Sequence, residues 1–89
     1  MYLSQISIQN DQLIFEKRKL FVTQKYSFDI DKVKMSRTYY SLILRCYQTE
    51  DKKKQFKISS REWSDIETIE RLIMNAKYGE ESTTTLLRA

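Results

Sequence analysis

The chain of 89 residues contains no histidine, no proline, one glycine and one cysteine. Histidine is the commonest general base and a frequent metal ligand, so its absence argues against most acid–base and metal-centred enzymes. A lone cysteine, Cys46, cannot form an internal disulfide and favours an intracellular, cytoplasmic setting. Without proline and with a single glycine, tight turns have to be built from Asn, Asp, Ser, Thr and Lys.

Long apolar runs are also missing. The longest, such as residues 41–44, are much too short to cross a bilayer, and no basic segment precedes an apolar one at the N-terminus. We therefore expect neither a transmembrane segment nor a secretory signal. The composition, 40% hydrophobic and 31% charged, suits one small globular domain. We place this domain at residues 1–79, with residues 80–89 as a flexible polar tail.

Charge is unevenly distributed along the chain, whose formal net charge is +4. Residues 1–59 contain twelve basic and six acidic side chains, a balance of +6, whereas residues 60–89 contain four basic and six acidic ones, a balance of −2. A basic first part either attracts an anionic partner or serves solubility alone.

Alternating apolar and polar residues predict antiparallel strands through residue 59. Tyr26, Phe28 and Ile30 share one face of the clearest alternation, and Asn10-Asp11 predicts a turn before it. Residues 20–22 either continue that strand or form another. Residues 31–38 lack alternation and predict a connector, followed by a hairpin of residues 39–48 and 55–59.

A helix is predicted at the C-terminal end. Trp63, Ile66 and Ile69 begin an apolar stripe at helical spacing, and Gly79 suits a helix C-terminus. Two capping boxes, Ser59 with Glu62 and Ser64 with Glu67, offer alternative starts. The predicted core comprises Phe28, Ile30, Leu42, Leu44, Phe56, Ile58, Trp63, Ile66, Ile69 and Ile73. The predicted fold is mostly β (α+β): a small antiparallel barrel or bent sheet closed by one C-terminal amphipathic helix.

Residues 26–73 resemble the second half of a small bacterial pleckstrin-homology-like (PH-like) domain. Phe28, Ile30 and Val33 match an aromatic-x-Ile-Asp-x-aliphatic phrase that precedes a connector, a hairpin and a helix, and Trp63 matches the aromatic of that helix. The resemblance implies a PH-like barrel. It also implies binding of lipids, peptides or proteins, or a scaffolding role, with peptides bound beside the open edge between sheet and helix.

Two lysine-rich clusters are candidate anion-binding sites: Lys17, Arg18 and Lys19 in one, and Lys52, Lys53 and Lys54 in the other. Exposed turns and edges also favour lysine because charge resists strand-to-strand aggregation. We prefer that interpretation for residues 52–54, and for residues 17–19 both interpretations stay open. The lysines at 52–54 become a binding site only if residues 17–19 fold alongside them.

A second candidate surface combines aromatic and basic side chains. Tyr39, Arg45 and Tyr47 share one predicted strand face, with Arg37 nearby, and such a face can stack bases and neutralise phosphates. Because Ile43 lies between the tyrosines, we prefer the interpretation that both tyrosines pack in a small barrel.

Catalytic and metal-binding residues are not predicted. Cys46 shares a face with apolar side chains and lacks a histidine base, so we expect an inert buried thiol. The carboxylate pairs at residues 29 and 31 and at residues 67 and 70 are better explained by surface solvation, and no cofactor is expected. Two functions therefore remain. The first is a non-enzymatic module that binds a protein or peptide, or self-associates, through sheet edge and helix. The alternative is a module that binds nucleic acid or acidic membrane lipid through a basic strand face.

Overall fold

The computed structural model describes residues 2–79 and 84–87. Within them the chain forms two antiparallel sheets and one helix. The elements are β1 (Tyr2–Gln9), β2 (Gln12–Lys19), β3 (Val22–Asp29), a 3₁₀ turn (Ile30–Lys32), β4 (Val33–Arg37), β5 (Ser41–Tyr47), β6 (Lys53–Ser59), α1 (Ile66–Lys77) and β7 (Thr84–Leu87). The prediction of a mostly β chain with a C-terminal helix is confirmed.

The first sheet has the strand order β3-β2-β1-β7. Asn10 and Asp11 form the turn between β1 and β2 with φ angles of 49° and 63°, as predicted, because short polar side chains tolerate the left-handed region. The turn between β2 and β3 contains Leu20 and Phe21, and Leu20 also has a positive φ of 50°. Residues 20 and 21 therefore form a turn, and only Val22 belongs to the strand that follows.

The second sheet has the order β4-β5-β6 and differs from the prediction in two places. The predicted connector contains a strand, β4, which pairs with β5 from Val33↔Cys46 to Arg37↔Leu42. β6 begins at Lys53, so the second and third lysines of the cluster lie on a strand and only Lys52 belongs to the turn.

The core lies between the two sheets and the helix. All ten predicted core residues are buried, together with Leu3, Ile6, Ile8, Leu13, Phe15, Val33, Cys46 and Ala76. Phe15 of the first sheet stacks on Phe56 of the second, with ring centroids 3.8 Å apart and planes 9° apart. Phe28 packs edge-on against both rings. This aromatic cluster joins the two sheets, which share no hydrogen-bonded strand pair among the described residues.

The helix begins later than either predicted capping box. Asp65 is its N-cap, and its carboxylate accepts hydrogen bonds from the hydroxyl and the amide of Thr68, which lower the pKa of Asp65 below its usual value. Trp63 thus precedes the helix, although it is buried. Gly79 has a φ of 93° directly after the C-cap, Tyr78, as expected for a residue that ends a helix.

The chain continues past the helix into a strand. Thr84–Leu87 forms β7, which pairs with β1 from Ile8↔Thr84 to Gln5↔Leu87. A flexible tail therefore does not describe residues 84–87, while residues 80–83, 88 and 89 lie outside the described residues. Strand pairing explains the difference, because β1 offers a free edge that the sequence pattern does not reveal.

Neither closure nor membrane spanning is seen in the part of the chain that the structure describes. The two sheets are not joined into a closed barrel across residues 2–79 and 84–87. The helix in this part has twelve residues, and it is not long and apolar enough to cross a membrane.

Candidate functional site

On three strands, the row of side chains that faces the core continues past the aromatic cluster. On β2, Lys17 follows Leu13 and Phe15, and on β6, Lys54 precedes Phe56. Side chains two residues apart on a strand point to the same face, so both lysines are directed toward the space between the sheets. On β3, Tyr26 lies opposite Phe15 and extends the same layer.

These rows bring the two lysine clusters together at one ring. Lys54 Nζ lies 3.7 Å from the centroid of the Tyr26 ring, and Lys17 Nζ lies 6.0 Å from the same centroid. Lys17 Nζ is also 5.1 Å from the centroid of Phe56, whose ring packs edge-on against Tyr26. We call Lys17, Tyr26 and Lys54 the basic corner.

The two ammonium groups of the basic corner lie over the faces of aromatic rings. A ring face attracts an ammonium group through its quadrupole but leaves the net charge in place. The ion pairs among residues 2–79 and 84–87 are Lys32 with Asp29 and Arg37 with Glu70, so neither corner lysine is paired with a carboxylate there. Glu62 lines a pocket beside Lys17, but the two ammonium groups at the Tyr26 ring are suited to bind a phosphate or another multiply charged anion.

The remaining cluster residues surround the corner without joining it. Arg18 and Lys53 are the strand neighbours of Lys17 and Lys54, so they point to the opposite faces of their sheets. Lys19 shares the face of Lys17 but lies two register pairs farther out, opposite Val22. Lys52 is exposed in the turn before β6. The two clusters therefore converge through one lysine each.

Of the second candidate surface, Arg45 and Tyr47 share a strand face, two residues apart on β5. Tyr39 is 84% exposed and lies in the turn before β5, not on that strand, with its ring against Tyr40. Arg37 bonds Glu70 of the helix at 3.3 Å, and Arg45 donates to the hydroxyl of Ser36. Both arginines are engaged by neighbours within the fold, and Tyr39 lies off the strand that carries Arg45 and Tyr47.

Tyr47 belongs to a separate cleft of about 500 Å³ between the 3₁₀ turn and the loop after β5. Lys34 Nζ lies 5.4 Å from the centroid of the Tyr47 ring. The lining residues are Lys32, Lys34, Tyr47, Gln48, Thr49 and Glu50. The predicted burial of Tyr47 is thus only partial, since its ring lies at the edge of the fold.

Residues with reactive or metal-binding groups are separated or already engaged. Burial raises the pKa of the Cys46 thiol to about 12, so the thiolate needed for nucleophilic attack is scarce at neutral pH. Asp29 accepts from Gln12 and pairs with Lys32 at 3.6 Å. Within the described ranges, no three or more His, Cys, Asp or Glu side chains come together as a metal site.

Sequence reasoning missed Tyr26 as a member of the site, because its alternation assigned the ring to the core. A usable signal was present: Tyr26 is the last aromatic residue of its row, and the inward positions beyond it, residues 24 and 22, carry Gln and Val at a solvent-exposed end. A tyrosine at such a boundary buries its ring edge and presents a face to cations.

No family model, no curated protein and no solved structure matches the chain.

Proposed function

We propose that this protein is a non-enzymatic module that binds phosphate-rich anions through the basic corner. The observation that carries the proposal is the position of Lys17 and Lys54, both within 6.0 Å of the centroid of the Tyr26 ring. From the sequence, the lysines at residues 52–54 were expected to form a binding site only if residues 17–19 folded alongside them. The two lysines come from different sheets, so their arrangement depends on the folded state.

Phosphate is the shared chemistry of the two ligands considered, acidic membrane lipid and nucleic acid. Lysine binds phosphate as a point charge, and each phosphate neutralised makes the affinity more sensitive to salt. The ring of Tyr26 keeps the ammonium group of Lys54 close to the strand, which reduces the side-chain entropy lost when a ligand binds.

The test compares two variants of equal charge. Lys17→Gln/Lys54→Gln removes both corner ammonium groups, whereas Lys52→Gln/Lys53→Gln removes two charges from the turn and the outer face. Binding to phosphatidylserine vesicles and to a single-stranded oligonucleotide is measured as salt is raised. We expect the corner variant to lose affinity and to flatten the salt dependence, and the control to retain most of both.

Two results would count against the proposal. Equal losses in both variants would mean that net charge alone governs binding. A wild-type protein that binds neither vesicles nor oligonucleotide at low salt would leave the corner without an anionic ligand.

A second candidate function, strand addition by a protein partner or a second copy, is favoured by the edge at β3. This strand ends its sheet, has eight residues, and pairs with β2 in an unbroken register from Gln12↔Asp29 to Lys19↔Val22. It contains no proline, glycine or bulge, which are devices that protect edge strands, and its charged residues are Lys25 and, at its end, Asp29. The PH-like resemblance also stays a proposal, compatible with two antiparallel sheets and a C-terminal helix.

Self-association is the form of strand addition that needs no identified partner. Sedimentation velocity over a wide concentration range should show a larger species, and amides of β3 should gain hydrogen-exchange protection in it. A single monomeric species at all concentrations, with unchanged hydrogen exchange at β3, would contradict the proposal of self-association at that edge.

A further inference from the structure

The β2–β3 hairpin ends in an apolar tip that the fold does not cover. Leu20 is 85% exposed and Phe21 is 102% exposed, and the next residue, Val22, is 55% exposed. Isolated exposed apolar residues are ordinary, but these three are consecutive at the end of the hairpin, beyond the last pair of β2 with β1, Tyr2↔Arg18.

The turn geometry makes the apolar residues more unusual. Leu20 has a φ of 50°, a region that glycine, asparagine and aspartate enter far more readily than leucine. The neighbouring turn between β1 and β2 is the internal comparison, since Asn10 and Asp11 occupy similar φ values there. Local turn chemistry therefore favours polar residues at both turns, and only the first turn has them.

Basic side chains surround the apolar tip. Residues 16–25, which we call the distal half of the hairpin, contain four basic residues and one acidic residue. Arg18 points to one face of the hairpin, and Lys17 and Lys19 point to the other. With a rise of about 3.4 Å per residue, the backbone positions of these three residues lie roughly 3–10 Å behind Leu20.

This spacing matches the layers of a membrane surface. Interfacial segments bury apolar side chains about 5–10 Å into the boundary between headgroups and acyl chains, and anionic headgroups attract nearby Lys and Arg. A single-stranded nucleic acid would use the positive charge and a stacking ring, but it would offer no partner for the aliphatic side chains of Leu20 and Val22.

We infer that the distal half of the hairpin docks on a bilayer that contains anionic phospholipid, with Leu20 and Phe21 inserted and the lysines and Arg18 at the phosphates. This inference rests on the proposed anion-binding function and adds the partner and the inserted residues. The apolar tip inserts, whereas the basic corner binds phosphate, and Lys17 belongs to both the distal half of the hairpin and the basic corner.

The first measurement is binding to phosphatidylcholine vesicles with and without phosphatidylserine. We expect the wild type to sediment with the phosphatidylserine vesicles only. The variant Leu20→Asn/Phe21→Ser, which keeps every charge and suits the turn, should bind at least about tenfold more weakly, since two apolar side chains no longer leave water. Circular dichroism checks that it folds.

The matched control is Tyr39→Ser, which removes another exposed aromatic ring from another hairpin turn. Its vesicle affinity should equal that of the wild type. An equal loss in the control would overturn the inference, because general surface apolarity would then explain the binding.

A second readout locates the tip in the bilayer. Trp63 is 2% exposed and gives a constant background, so Phe21→Trp adds one responsive indole. Its emission should shift to the blue on phosphatidylserine vesicles and should be quenched by brominated acyl chains.

The outcomes separate this inference from the proposed function. Vesicle binding that is unchanged in Leu20→Asn/Phe21→Ser, or an indole at residue 21 that stays in water, overturns the inference and leaves anion binding in place. Binding to the oligonucleotide without binding to vesicles does the same. A tip variant that alters only the oligomeric state assigns the tip to self-association and also overturns it. Binding to neither ligand removes both proposals.

Discussion

The two halves of the β2–β3 hairpin have the same secondary structure, but one half is buried against the core and the other is exposed. In the core half, residues 12–15 and 26–29, the inward-facing Leu13, Phe15 and Phe28 are at most 3% exposed. In the distal half, the same inward row continues with Lys17 and then Lys19, and it ends at an exposed apolar turn.

The difference shows what determines burial along a strand. Alternation decides which side chains share a face, but an opposing sheet decides whether that face is covered. The second sheet packs over the hairpin as far as Phe56, which stacks on Phe15. At Lys54, the next inward-facing residue of β6, this apolar packing ends. Beyond that point the hairpin is free to present charge and apolar residues to a partner.

The largest expected contrast between the halves is in stability. Phe15→Ala removes a fully buried ring from the stack between the sheets and should lower the free energy of unfolding by about 3–5 kcal/mol. Phe21→Ala removes a ring already in water and should change it by less than about 0.5 kcal/mol. Urea denaturation monitored by circular dichroism measures both, and equal losses would contradict the division of the hairpin.

Cys46 reports whether the core closes directly behind the basic corner. It lies opposite Lys54 in the β5–β6 register and is fully buried, and burial raises the pKa of its thiol from 9.0 to about 12. At neutral pH a thiol reagent should therefore label the native protein at least about a hundredfold more slowly than the urea-unfolded protein. Labelling at the unfolded rate would show that the core is open at the corner.

The same thiol predicts a pH dependence of stability. Its stabilising contribution is complete below the unfolded pKa of 9.0 and is lost as pH rises toward the folded pKa of about 12, because the unfolded thiol ionises first. Cys46→Ala lacks this step. The stability difference between wild type and variant should therefore shrink above pH 9.0, and a constant difference would contradict the burial of the thiol.

A smaller gain is expected at the apolar tip. Leu20→Asn should raise the free energy of unfolding by about 1 kcal/mol, since asparagine tolerates the left-handed region that leucine avoids. Phe21→Asn is the matched control, because Phe21 is not among the residues with positive φ. Equal changes in both variants would attribute the gain to lost exposed apolar surface and not to relieved backbone strain.

The smallest expected effect is at the boundary between the halves. Lys54→Gln removes the ammonium group above Tyr26, and such contacts at exposed sites contribute about 0.5–1 kcal/mol. The loss in free energy of unfolding should stay within that range, while anion binding falls much more. A loss as large as that of Phe15→Ala would make Lys54 a core residue rather than a ligand-binding one.

The sequence predicted most strands of this fold because their signals are local. The alternation before Asp29, the Asn10-Asp11 turn and the glycine at residue 79 all appear where expected. β4 and β7 escaped prediction because short strands are stabilised by pairing with distant residues. Only Val33 of β4 is buried, so its own pattern is too weak to distinguish a strand from a connector.

The candidate site was only half predictable. Both lysine clusters can be recognised in the sequence. The condition for their joint action, that residues 17–19 fold alongside residues 52–54, could also be formulated from it. The sequence does not show that Tyr26 lies between them, or that Arg37 is engaged by Glu70 of the helix. Charge along a chain is a local property, whereas the meeting of two rows from two sheets depends on how the sheets pack.

The sequence alone thus determined the kinds of residue available: a chain without histidine, with one cysteine, basic in its first two thirds and patterned for antiparallel strands. The tertiary structure decided which lysines converge and which apolar residues stay in water. The physical reason is that the backbone of each strand sets which side chains share a face. Burial of that face and convergence of lysines from two strands require a second sheet at a particular distance and angle.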